Sequence, residues 1–251
     1  MIRSSLGLAL LLGLSASTFG QSILIFDANT QNHRAQGGVT SLGLSYTVAN
    51  ASNFDTLLGS QSWNLVIIDA PSTLPNFTNF TNYVIGGGKA IVSTYVWGSE
   101  TAMAAAMGVS ANGNINSPPP SIFRWDISSS VFNTPNSVGD LTSWSDQWTI
   151  DGQRLNVLSG TALAGLTVSP TAGEASIVVG NGGNTIANGF LFDELNDPTG
   201  THLVANEVHF LLSAVPEPGT IALCGVALAG TSYAAWRRRL RTKAILNGKR
   251  I

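Results

Sequence analysis

The chain has one cysteine, Cys224, and three histidines, His33, His202 and His209, in 251 residues. Cys224 falls in an apolar run near the C-terminus, so the rest of the chain has no disulfide, no thiolate nucleophile and no cysteine-based metal site. Charge is scarce as well: Asp, Glu, Lys and Arg make up 10% of residues, against about a quarter in ordinary globular domains. Positive charge is scarcest in the middle. Between Gln21 and Ala214 the basic residues are Arg34, Lys89, Arg124 and Arg154, against thirteen Asp and Glu, a net charge of −9. Phosphate backbones are bound by Lys and Arg, so this stretch argues against nucleic acid as a partner. The apolar fraction of 44% excludes a disordered chain and leaves room for one sizeable domain with appendages.

The two ends differ from the middle. Met1-Ile2-Arg3 supplies a positive charge, Leu6 to Leu14 is almost wholly apolar, and small residues follow to Gly20, the pattern of a secretory signal peptide over 1–20. At the other end Val215-Pro216-Glu217-Pro218 precedes an uncharged run, 219–236, and then Arg237-Arg238-Arg239 and Arg241. Eighteen residues at helical rise span about 27 Å, the short end of what crosses a bilayer. The arginines hold their end in the cytoplasm. The expected organisation is therefore a signal peptide (1–20), an exported domain (21–214) and a membrane-directed tail (215–251) with a transmembrane helix over 219–236.

Within the domain, Ile23-Leu24-Ile25-Phe26-Asp27 and Leu65-Val66-Ile67-Ile68-Asp69 are short apolar runs ending in Asp, the signature of parallel strands buried on both faces. Further strands are predicted over 44–49 and 89–94. Helices are predicted over 31–42, 53–58 (capped by Ser52 or Asn53), 77–85 (stopped by Gly86-Gly87-Gly88) and 100–107 (capped by Ser99). Strands separated by helices at this spacing predict an α/β fold with a doubly wound parallel sheet. The three prolines at 118–120 place 112–121 in a loop. Strands follow at 162–168, 174–179 and 186–192, the last two joined through Asn181-Gly182 as a hairpin, and a helix over 202–213 closes the domain.

Candidate sites are few. Asp27 and Asp69 would lie beyond the carboxyl ends of their strands, where ligands of open α/β sheets bind, although capping and loop bracing also account for such acids. Tyr95 and the tryptophans, Trp97 among them, offer ring faces that stack on sugars; core packing is the simpler role for them. Asp193, Glu194 and Asp197 read as a solvated turn, since they lack the alternating ligands of a calcium loop. Gly86-Gly87-Gly88-Lys89 lacks the spacing of a phosphate loop. The histidines read as surface or helix-flank residues. No catalytic residue, metal site or cofactor is predicted.

Two resemblances follow. The strands ending in Asp27 and Asp69, Gly86-Gly87-Gly88-Lys89 leading into a strand, and the closing segments 177–192 and 202–208 resemble the flavodoxin-like domain of the class I glutamine amidotransferase-like superfamily, over about 22–213. That family places a cysteine nucleophile on the turn after the strand corresponding to 89–94. Here the turn is Thr94-Tyr95-Val96-Trp97-Gly98, so the resemblance implies the fold without the amidotransferase reaction. Pro216-Glu217-Pro218, the apolar run and Arg237-Arg238-Arg239 resemble the PEP-CTERM sorting signal. That family implies a bacterial envelope in which an exosortase processes the signal near Pro-Glu-Pro after transient anchoring. The protein is then released to the surface or matrix, beside exopolysaccharide or another surface protein. Two functions are expected to compete: a non-enzymatic binding or structural module of the cell surface, and an extracellular hydrolase using Ser93, Ser99 or the Asp27/Asp69 pair.

Overall fold

Every residue from Ile23 to Phe26 and from Leu65 to Ile68 is fully buried, because both faces of the sheet they form are covered by helices. A computed structural model describes residues 21–28, 30–71, 77–117, 119–145 and 150–213, within a compact unit from Gly20 to Val215. In chain order the first half contains β1 (Ile23–Asp27), α1 (Arg34–Ser41), β2 (Thr47–Ala49), α2 (Phe54–Ser60), β3 (Leu65–Asp69), α3 (Thr78–Ile85), β4 (Ala90–Ser93) and α4 (Thr101–Ala106). The second half contains β5 (Val109–Asn116), β6 (Phe123–Arg124), α5 (Ser130–Asn133) and β7 (Ile150–Val157). It closes with β8 (Thr161–Gly165), β9 (Ala175–Gly180), β10 (Thr185–Asn188) and α6 (Thr199–Ser213).

The sheet runs β2-β1-β3-β4-β10-β9-β7-β5. From β2 to β10 neighbouring strands are parallel. Beyond β10 they are antiparallel, and β8 and β6 extend from β9. The doubly wound parallel sheet predicted from the sequence is thus correct for one half; the whole is a mixed α/β sheet, consistent with a flavodoxin-like fold. The reversal comes from the β9–β10 hairpin. Its turn at Asn181–Gly183 uses left-handed backbone at all three residues (φ 45°, 66° and 92°), a connection too short for anything but antiparallel neighbours.

Side-chain alternation splits the core. Ile23, Ile25, Leu65, Ile67, Ile91 and Ile186 pack with Val39 of α1 and Leu203, Val204 and Val208 of α6. Leu24, Phe26, Val66, Ile68 and Val92 pack on the other face with Phe54, Phe80, Val84 and Met103.

The structure corrects several local expectations. The predicted loop at 112–121 is strand as far as Asn116. Its Asn and Gly residues are tolerated because β5 is an edge strand, bulged between Ala111 and Asn114, where polar residues and bulges suit exposed edges. Neither Asn53 nor Ser99 caps a helix with its side chain. The Asn53 Oδ1 accepts instead from the Asn50 N–H (2.8 Å) and the Ser99 hydroxyl donates to the Val96 carbonyl (2.9 Å), the local competition such side chains offer. The Gly86-Gly87-Gly88 stop holds: Gly87 has φ 87° and a Cβ on Gly88 would lie 2.4 Å from the Tyr83 ring.

The closing helix, α6, starts at Thr199, three residues earlier than expected. Two polar groups fix it. Buried Asn206 accepts from the Asn136 N–H (2.9 Å) and donates to the Val131 (3.0 Å) and Asn136 (2.8 Å) carbonyls, stapling the α5 region to it. The Lys89 ammonium donates to the Leu211 carbonyl, satisfying an end that a helix leaves open. Among the described residues no helix is long and apolar enough to cross a membrane. The expected signal peptide at 1–20, the transmembrane helix at 219–236 and the sorting residues between Pro216 and Arg239 lie outside the described residues.

Candidate functional site at the strand ends

The connections from β1 lead to β2 on one side, and β3 lies on its other side. In an open α/β sheet that divergence opens a crevice beyond the strand carboxyl ends, and Asp27 and Asp69 stand on either side of it. Their strands are in register, Asp27 beside Asp69, Asp69 beside Ser93, and Ser93 beside Asn188. The period of two puts all four on the face that carries Ile25, Ile67, Ile91 and Ile186. A row of polar side chains therefore crosses four strands, met at one end by Gln36 of α1 and at the other by Glu207 of α6.

Asp27 is fully buried at its side chain and braces the loop that follows it. It accepts from the Thr30 hydroxyl and from Gln36 Nε2 (2.9 Å), and its Oδ2 lies 3.2 Å from His33 Nδ1. His33 holds a left-handed backbone (φ 49°, ψ 44°) at the start of α1, uncommon outside glycine. Its side chain is 56% exposed. With Nδ1 turned to Asp27, the other ring nitrogen has no hydrogen-bond partner among the described residues, and a buried carboxylate is the group that orients an imidazole for proton transfer. The neighbouring Asp193 is also buried; its carboxylate accepts from the Gln31 (2.9 Å) and Asn32 N–H groups, and its carbonyl accepts from Asn32 Nδ2 (2.9 Å).

Asp69 is completely buried and, among the described residues, neither carboxyl oxygen completes a hydrogen bond. Burial, and then the charges of Asp27 and Asp193, push its pKa well above the usual carboxylate range, so its protonated form is favoured. The nearby Ser93 hydroxyl and Phe192 N–H pull the other way without cancelling this. Ser93 has both roles occupied elsewhere: its hydroxyl donates to the Phe190 carbonyl (2.7 Å) and accepts from the Phe192 N–H (2.8 Å). At the end of the row, Asn188 Nδ2 donates to Glu207 Oε2 (3.0 Å). Burial raises Glu207 from 4.5 to about 8, against the Asn188 hydrogen bond.

The turn after β4 is filled. Trp97 is fully buried and its indole N–H donates to the Asn188 carbonyl (3.0 Å), so this ring packs the core and offers no stacking face. The Thr94 hydroxyl donates to the Ala70 carbonyl (2.9 Å), and that of Ser99 to Val96. Tyr95 is half-buried beside them. Of the residues picked from the sequence, Asp27 and Asp69 meet at the crevice and Trp97 is withdrawn from it.

Sequence reasoning missed His33, Asp193 and Glu207. His33 sits in a polar stretch with no periodicity to mark it. The expected solvated turn at 193–197 is corrected for Asp193 and Glu194, which are fully buried, and the apolar Phe190-Leu191-Phe192 before them was the available sign. Among the described residues no group of three His, Cys, Asp or Glu is placed to hold a metal ion.

Comparison with known proteins gives two kinds of match. A PEP-CTERM protein-sorting motif matches residues 214–239. No curated protein matches the chain. Solved structures match the domain as a fold. A GMP synthase component from Thermoplasma acidophilum has a TM-score of 0.53 at 14% identity, over 77% of this chain and 94% of that one. A ThuA-like protein from Bacteroides uniformis has 0.52 at 13% identity, over 76% and 91%. A β-galactosidase from Rahnella sp. R3 has 0.51 at 14% identity, over 78% of this chain but only 31% of that one. The chain thus carries the sorting motif and a domain of amidotransferase-like and ThuA-like, flavodoxin-like fold.

Proposed function

We propose that this chain is an exported cell-surface or matrix protein whose amidotransferase-like domain serves as a binding or structural module. Its sorting tail, through Pro216-Glu217-Pro218 and Arg237-Arg238-Arg239, presents it to an exosortase-type enzyme after signal-peptide export and a transient membrane stage; exopolysaccharide or a second surface protein is its partner outside. The observation that carries the non-catalytic reading is the commitment of the hydroxyls around the β4 turn. Ser93, Thr94 and Ser99 each donate to a main-chain carbonyl, so among the described residues none of them gives its hydroxyl proton to a base as an activated nucleophile requires. The same turn has no cysteine. The test is a glutaminase, esterase and glycosidase screen of purified 20–215. No turnover is expected from Ser93, and turnover that Ser93→Ala abolishes in a folded protein would overturn the reading.

One observation favours a second reading, an exterior hydrolase of non-standard type. The buried Asp27 and half-exposed His33 make the base half of a hydrolytic site, with His33 activating water rather than a serine. Turnover lost in His33→Ala, with a pH profile shifted by Asp27→Asn, would support it; an inactive protein across the screen would end it.

A further inference from the structure

Three neighbouring strands, β2, β1 and β3, begin at the edge of the sheet opposite the crevice, and over their entries lies an open depression of about 110 Å³. It is lined by Gln21, Ser22, Ser45, Tyr46, Thr47, Gln61 and Trp63, with Ile23 at its floor. The geometry points to a binding site for one residue of a neutral saccharide, held between Tyr46 and Trp63 by the amides and hydroxyls around them.

Three features carry this. First, the rings are fixed and partly uncovered. The Trp63 indole N–H is spent on the Leu57 carbonyl (3.0 Å), and Trp63 and Tyr46 are each half-buried against the core. They present apolar surface at little conformational cost, which suits the C–H face of a sugar ring. Second, polar side chains stand uncommitted. Among the described residues, Ser45, Tyr46, Thr47 and Gln61 make no side-chain hydrogen bond, and the Gln21 Oε1 is buried without a partner. An apolar ligand would leave these groups unsatisfied, whereas amides and hydroxyls both donate and accept, as sugar hydroxyls require. Third, the lining has no charged side chain, so an anionic or cationic ligand would lose its hydration without a counter-charge. Ser22 belongs to the frame of the site: its hydroxyl donates to the Ser62 carbonyl (2.9 Å).

The experiment is titration of 20–215 with neutral hexose and N-acetylhexosamine mono- to tetrasaccharides, read by tryptophan fluorescence and calorimetry. Saturable binding is expected, weakened about tenfold or more by Gln61→Ala and by Thr47→Val, both at exposed positions that leave the core intact, and unchanged by Asp27→Asn. Trp63→Ala should abolish it; should that variant fail to fold, Gln61→Ala and Thr47→Val still decide. No response to any of these sugars at about 10 mM, or binding that Gln61→Ala and Thr47→Val leave intact, would overturn the assignment. The site is separate from the strand-end crevice, so turnover at His33 and sugar binding at Trp63 succeed or fail independently.

Discussion

Replacing Glu207 by glutamine changes one atom in the interior and tests the electrostatics of the polar row. Glu207 is fully buried and is raised from 4.5 to about 8 in the folded protein. The folded state therefore holds a proton that the unfolded state releases above about pH 4.5. Its contribution to stability is present in full below that pH and is lost progressively as pH climbs to about 8, at 1.36 kcal/mol per pH unit. Worked through the two pKa values, the loss is about 1 kcal/mol at pH 5, about 3 at pH 7 and about 5 at pH 9. Glutamine has nearly the shape of the protonated acid, accepts from Asn188 Nδ2 as Glu207 does now, and has no proton to lose. It also brings a donor toward a pair in which Asn188 Oδ1 and Glu207 Oε1 both lack partners among the described residues. Denaturant unfolding of wild type and Glu207→Gln side by side from pH 4 to pH 9 is the assay, since other groups cancel in the difference. The two should coincide near pH 4, with the variant gaining by the amounts above as pH rises. A difference that stays flat with pH would refute the raised pKa and the burial argument behind it.

Other expectations are simpler. Asn206→Ala removes the partner of the buried Val131 carbonyl and of both main-chain groups of half-buried Asn136 and should cost about 3 kcal/mol by denaturant titration. Gly88→Ala drives a methyl into the Tyr83 ring and should cost about 2 kcal/mol, with loss of the Tyr83 hydrogen bond to the Lys89 carbonyl (3.0 Å) visible in the tyrosine ultraviolet signal. Lys89→Met removes the cation at the end of α6 and should cost about 1 kcal/mol, with earlier amide exchange in the last turn. Asp69→Asn, which keeps the shape and removes the titration, should stabilise the protein increasingly as pH rises, because the folded acid binds its proton more tightly than the unfolded one.

What could be read from the residues follows from how strongly burial writes itself into them. The Ile23–Phe26 and Leu65–Ile68 runs are buried on both faces, so every position had to be apolar and the strands announced themselves. β7 is the opposite case. It lies in the antiparallel half, where Leu155 is buried and Val157 is 40% exposed, and Gly152, Gln153, Arg154 and Asn156 between them hide any alternation. β5 was hidden by its asparagines and glycine, which an edge strand accepts. At the crevice, the two strand-end acids were visible because they close apolar runs. His33 is brought to Asp27 by the return of the loop after β1, a contact between residues six apart that no periodicity encodes. Asp193 arrives from far along the chain to receive the Gln31 and Asn32 N–H groups, a pairing set wholly by tertiary packing.

The hydrogen bond from Lys89 to Leu211 fixes more than a helix end. Lys89 stands just before β4 begins, so the last turn of α6 comes down at the edge where the parallel strands start, and Arg34, paired with Asp197 before α6 begins, marks the opposite edge. The chain thus enters β1 and leaves α6 on one side of the domain, while Asp27 and His33 open on the other. The Tyr46–Trp63 depression, over the entries of β2, β1 and β3, lies on the same side of the domain as the end of α6 and faces away from the crevice. A ligand at either place would therefore leave the other uncovered, so the two can be occupied one at a time or together.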